Sequence, residues 1–189
     1  MSGAVLTRLA QVETRVKDLR DGRTGTLTIH TFDSASTAWM PTVTRAVLAA
    51  HPELRLRLTL TDHYPGPSAP PPTAPAIDSP DSSAQEAPTG YRVHRLLQEP
   101  YVALVPAGHR LAGAGVIELA ELRDETWIAA DMTNGPCALN LRRSCAAGGF
   151  EPAYSVETTD HVTAMSFVAA GVGITVLPQL CALTLPDGV

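Results

Sequence analysis

Three short stretches of the chain carry hydroxyl, amide and carboxylate side chains at spacings suited to holding a small ligand. They are Ser34, Ser36 and Thr37 in "DSAST", Thr133 and Asn134 in "DMTNGP", and Thr158, Thr159 and Asp160 in "ETTD". Each follows a run that reads as a β-strand and precedes one that reads as a helix. A helix N-terminus presents N–H groups with no intrahelical partner, and a hydroxyl beside them either caps the helix or helps to hold an anion. Capping alone explains any one of the three. Three junctions of the same kind point to a cleft for a small anion or carboxylate, because ligands of open α/β sheets bind at the carboxyl ends of the strands.

Other chemistry finds no support. The chain has no G-x-S-x-G elbow, no P-loop and no H-E-x-x-H. The glycines of "GAGVIE" (113–118) precede no helix of a βαβ unit, so they make no dinucleotide site. Six histidines (30, 51, 63, 94, 109 and 161) stand singly, none at metal-ligand spacing from Cys, Asp or Glu. No catalytic residue, metal or cofactor is expected.

The bulk numbers agree. A chain of 189 residues with 44% apolar residues can bury a core, and its net charge is −5. Duplex DNA calls for clustered positive charge, whereas Arg55/Arg57 and Arg142/Arg143 are pairs on solvated faces. No apolar run approaches about 18 residues, and the N-terminus lacks a continuous apolar segment, so a cytoplasmic protein is expected. Cys137, Cys145 and Cys181 make an odd set that suits reduced thiols.

The elements that would position the three stretches alternate. Leu6, Leu9, Val12, Val16 and Leu19 form one apolar stripe of a helix that needs a partner, from its own domain or from a second chain. "TLTIHTF" (26–32) reads as a strand, "AWMPTVTRAVLAAH" as a helix and "LRLRLTL" (54–60) as a strand with one polar face. Beyond residue 90, "YRVHRLLQEPYVALVPAGH" reads as one or two strands. After it come a short helix "ELAELRD", a strand "TWIAA", a helix "CALNLRRSCAAGG", a strand "AYSVETT", a helix "DHVTAMSFVAAG" and a strand "GITVLP". Two α/β lobes are implied.

Several of these segments resemble one family. "GRTGTLTIHTFDSASTAWMPTVTRAVLAAHPELRLRL", "LLQEPYVALVPAGHRLAG", "IELAELRDETWIAA" and, most specifically, "GGFEPAYSVETTDHVTAMSFVAAGVGITVLP" resemble the effector-binding domain of LysR-type transcriptional regulators. The resemblance implies two lobes of the type II periplasmic-binding-protein kind, hinged around a cleft for a small effector. It implies that the N-terminal stripe is the end of a dimerising linker helix. The family's loop hydroxyl, seven residues before the helix proline, falls on Ser34; Thr133 and the Thr158/Thr159 pair lie in loops that would face it.

Departures from the family pattern matter as well. Met1 is followed directly by the linker stripe, so DNA binding is expected only through a helix-turn-helix domain outside this chain. Between "LRLRLTL" and "YRVHRLL" the family has a helix and a strand, whereas this chain has "TDHYPGPSAPPPTAPAIDSPDSSAQEAPTG". Eight prolines in residues 65–88 forbid a helix or a central strand there. Peroxide-sensing members carry two cysteines near the place of Cys137 and Cys145. Eight residues apart on one helix, their Cα atoms would lie ~12 Å from each other, and a disulfide needs about 4.4–6.8 Å. Inert thiols are the expectation.

The expected fold is therefore α/β, with two Rossmann-like lobes and an incomplete first lobe. Residues 1–21 form the linker helix, 22–64 the partial first lobe, 65–90 a Pro-rich disordered loop, and 91–189 a remaining strand of the first lobe with the second lobe. The expected partners are a small-molecule effector and a second copy of the chain, with no membrane. A degenerate dimerisation or interaction module and a solute-binding protein remain as alternatives; an enzyme ranks last.

Overall fold

A computed structural model describes residues 25–60, 96–132 and 135–189. The linker stripe of residues 1–21, the Pro-rich stretch of residues 65–90 and the pair Thr133/Asn134 lie outside the described residues. Those described fall into two compact units, one holding residues 25–60 and the other residues 96–189.

In the first unit β1 (Gly25–Thr31) pairs in parallel with β2 (Leu54–Leu60) over seven residues, from Gly25↔Leu54 to Thr31↔Leu60. Parallel neighbours need a crossover, here two helices, α1 (Asp33–Ala38) and α2 (Met40–Ala50). "DSAST" is thus helical rather than the loop its composition implied. The Ser36 N–H donates to the Phe32 carbonyl at 2.9 Å and the Trp39 N–H to that of Ala35 at 3.0 Å. Asp33 sits in the first turn, where a carboxylate complements the helix dipole. Pro41 lacks only an N–H that the start of α2 would leave unpaired.

The second unit is built on β3 (Tyr101–Leu104), β4 (Thr126–Ala129), β5 (Ala153–Glu157) and β6 (Thr175–Pro178). β3 pairs antiparallel with β6, and β4 in parallel with β5. A parallel bridge between Trp127 and Ile174 joins the two pairs, so the strands run β5-β4-β6-β3. α3 (Pro136–Ala147) follows β4 and α4 (His161–Ala169) follows β5. Of "YRVHRLLQEP", residues 96–100 are not a strand. Pro100 cannot donate, and the segment instead serves the end of β6: its carbonyl accepts from the Gln179 N–H at 3.0 Å, and Glu99 Oε2 accepts from the Leu180 N–H at 2.6 Å.

Successive strand residues point to opposite faces, and both faces of this sheet are covered. Ile128 and Leu177 join Ala164, Met165 and Val168 of α4 on one side. Trp127, Ile174 and Val176 join Leu122 and Cys145 on the other. Trp127 is fully buried, and its indole N–H donates to the Leu122 carbonyl at 3.0 Å, so the large side chain enters the core with no orphaned donor.

Both long helices of this unit end alike. After α3 the Gly149 N–H reaches the Ala146 carbonyl and the Phe150 N–H that of Cys145; after α4 the Gly171 N–H reaches Val168 and the Val172 N–H reaches Phe167. These are Schellman ends, and φ near +75° at Gly149 and +74° at Gly171 is why each has a glycine. "CAAGGF" and "FVAAGV" spell the same stop signal twice.

Candidate functional site

In the second unit the carboxyl ends of β4 and β5 lie side by side and lead to the N-termini of α3 and α4. Thr158 draws the two ends together: its N–H donates to the Ala129 carbonyl at 2.9 Å. Its buried hydroxyl lies 2.9 Å from the carbonyls of both Ala129 and Asp160, donating to one at a time. Asp160 caps α4, accepting from the Thr163 N–H at 2.7 Å. Hydrogen bonds from Thr163, backbone first, hold this carboxyl below the usual carboxylate range. Thr159, between them, is exposed.

The loop after β4 is organised by a residue that the spacing argument passed over. Asp131 Oδ2 accepts from the Gly135 N–H at 3.2 Å, closing the turn that starts α3. An aspartate four residues before a Gly-Pro helix start was the readable signal. Thr133 and Asn134 fall between these two anchors and outside the described residues.

In the first unit the hydroxyls lie inside α1, and none caps it: Phe32 is the N-cap, with no side-chain bond. Among the described residues no junction hydroxyl caps its helix; the one side-chain cap at these junctions is the carboxylate of Asp160. Ser34 is 7% exposed. Thr37 donates back to the Asp33 carbonyl at 3.1 Å. Ser36 Oγ is buried with no hydrogen-bond partner, the one such side-chain atom among the described residues. The structure thus gathers Thr158, Thr159 and Asp160 at one strand end and Ser34, Ser36 and Thr37 on one short helix, in separate units.

Among the described residues no three His, Cys, Asp or Glu side chains are grouped to hold a metal ion. None of the three cysteines is in a disulfide. Cys137 and Cys145 both lie on α3, and burial pushes the Cys145 thiol up, away from the reactive thiolate. No described helix is long and apolar enough to cross a membrane.

Residues 81–188 match the family model described as the LysR substrate binding domain. The chain belongs to the LysR family. The LysR family is one of transcriptional regulators, not enzymes. The chain is 29% identical over 181 residues to the HTH-type transcriptional regulator IlvR of Caulobacter vibrioides, an alignment covering 92% of this chain and 60% of IlvR. Against three other curated regulators it spans only 28–32% of their length. Its fold is that of LysR effector-binding domains. The CcmR regulatory domain of Synechocystis PCC6803, in complex with 2-PG, superposes with a TM-score of 0.65 at 16% identity, covering 87% of this chain and 77% of that one. The BenM effector binding domain with benzoate gives 0.64 at 18% identity, covering 86% and 74%. Such low identities speak to the α/β architecture, of the type II periplasmic-binding-protein kind, and not to the ligand.

Proposed function

We propose that this LysR domain senses a small anionic metabolite, and that Ser34, Ser36, Thr37, Thr133, Asn134, Thr158, Thr159 and Asp160 are its candidate effector-binding residues. The observation that carries the reading is the pair of helix N-termini, of α3 and α4, set at the carboxyl ends of adjacent parallel strands. BenM's domain was crystallised with benzoate, a carboxylate, which is the ligand class such an arrangement suits. The same proposal sets the working site in the cytoplasm and leaves DNA contact to a helix-turn-helix domain. The test is a thermal-shift screen against small carboxylates and phosphate esters. At a ligand concentration about 100 times Kd, one-site binding adds ~2.7 kcal/mol, and Ser34→Ala diminishes the shift. A flat response across the panel refutes sensing by this chain.

A second reading, a dimerisation or interaction module without a ligand, draws on the first unit. Val43 on α2 and Leu58 and Leu60 on β2 are 42%, 42% and 58% exposed. Homodimerisation belongs to both readings. Sedimentation separates them when combined with the screen: a dimer that no anion stabilises favours the module.

A further inference from the structure

The second unit holds a cleft that the effector reading does not use. Its volume is about 240 Å³, and its floor is the cross-strand pair Ala103↔Val176 of β3 and β6. Leu119 and Leu122 of the turn before β4 form one wall with Ile117, and Leu141 of α3 forms the other. Tyr101 closes one end, and Ser144 stands on the exposed rim. The cleft lies on the face of the sheet covered by α3, opposite the face covered by α4. No charged side chain lines it.

We propose that this cleft is a second binding site, for a neutral, monocyclic, largely apolar molecule bearing one hydroxyl or amine. Size decides against a macromolecule, since a specific protein contact buries roughly 800 Å² per partner. The volume exceeds the about 150 Å³ of an apolar cavity that takes up benzene, so one ring with a small substituent fits. The absence of charge on the lining selects against the carboxylates proposed for the strand ends, because an unpaired charge costs more to desolvate than the apolar contacts return. The site is also held in shape. The Tyr101 hydroxyl donates to the Cys137 carbonyl at 3.0 Å, which pins the ring that ends the cleft to the first turn of α3. Burial, with neighbouring Cys137 reinforcing it, pushes the Tyr101 phenol well above its usual range, so the hydroxyl remains a neutral donor at any working pH. Ser144 on the rim offers a hydroxyl to the one polar group of the ligand.

Phenol is the probe and benzoate its charged counterpart. In amide-detected NMR of the full chain, phenol is expected to shift Ala103, Leu141, Ser144 and Val176 saturably, in about the millimolar range, leaving Thr158 and Asp160 unmoved. Filling the cleft with Ser144→Leu, at an exposed helix position that leaves the fold intact, is expected to weaken phenol binding by at least about tenfold; Ala103→Leu should do the same from the floor. Benzoate should leave the four residues unshifted. Non-saturating shifts, equal phenol binding by wild type and Ser144→Leu, or equal occupation by benzoate would each overturn the assignment. The effector reading is untouched by any of these results, because its own readout is Thr158 and Asp160.

Discussion

Asp160 and Glu125 are the two carboxylates that the fold commits most firmly, and they set how the domain responds to acid. Burial by itself would raise Glu125, but hydrogen bonds from His109 at 3.1 Å and from Arg110 at 2.7 Å outweigh it and hold the carboxyl low. The Leu111 N–H donates to His109 Nδ1, leaving Nε2 to carry the proton toward Glu125. Both carboxyls titrate lower in the folded chain than in the unfolded one. Each therefore adds stability above its unfolded pKa and loses it as pH falls through its folded value, so urea midpoints should drop below about pH 4. Glu125→Gln should flatten that profile. Asp160→Ala removes the cap of α4 and should cost about 1 kcal/mol, read as a fall in Tm of roughly 2–4 °C. Ser36 should behave in the opposite sense. Its buried Oγ lacks a partner, so Ser36→Ala should leave the ligand-free chain as stable or more so while weakening any anion response. A loss of stability without ligand would sink the idea that this hydroxyl waits for one. From the sequence these hydroxyls look equivalent. Which carbonyls lie within reach of Thr158 depends on strand ends brought together across 29 residues, and that Ser36 Oγ meets no partner depends on the packing around α1.

Among the elements, the link between β4 and β6 is the most exposed to a single change. A Cβ built on Gly173 would clash with the Thr126 carbonyl oxygen, the acceptor for the Ile174 N–H at 2.8 Å. Gly173→Ala must push the strands apart where one bridge joins them, and a loss of more than about 3 kcal/mol is expected by chemical denaturation. Gly171→Ala, strained only by its positive φ, should cost about 1 kcal/mol. Equal losses would show that the close approach is not what selects glycine at 173. Because α3 holds Cys137 and Cys145 apart along its axis, peroxide should form no bridge between them, and Cys145 should react with thiol reagents only as the chain unfolds. Elements of seven residues or more were legible: β2 occupies the span its strict alternation marks, and α4 starts directly after its capping aspartate. α1 was not, because six residues complete fewer than two turns and show no 3.6-residue period. Residues 96–100 form no strand: Leu96 and Leu97 are exposed, and Glu99 and Pro100 bond to the turn after β6.

At the scale of the whole molecule the two units bring different chemistry under one negative charge. With a net charge of −5 and arginines in pairs, the purified chain is not expected to retard duplex DNA in a gel at about 0.15 M salt. A retarded band abolished by raising the salt would contradict that. The family and its α/β class were readable because the apolar runs of β4 and β6 and the "VAAGVGI" turn occur in one order along the chain. The cleft beside Tyr101 was not readable. Its floor pairs residue 103 with residue 176, and no local pattern announces a contact at that separation. That pairing also bears on how the protein is made. β3 is synthesised early and remains an open edge until β6 appears; at about 5–20 residues per second the ribosome exposes it for roughly 4–15 s. Tyr101 to Leu104 thus pass through several seconds as an unprotected apolar strand, an interval in which a nascent-chain chaperone or a neighbouring polysome product competes with the strand that completes the sheet.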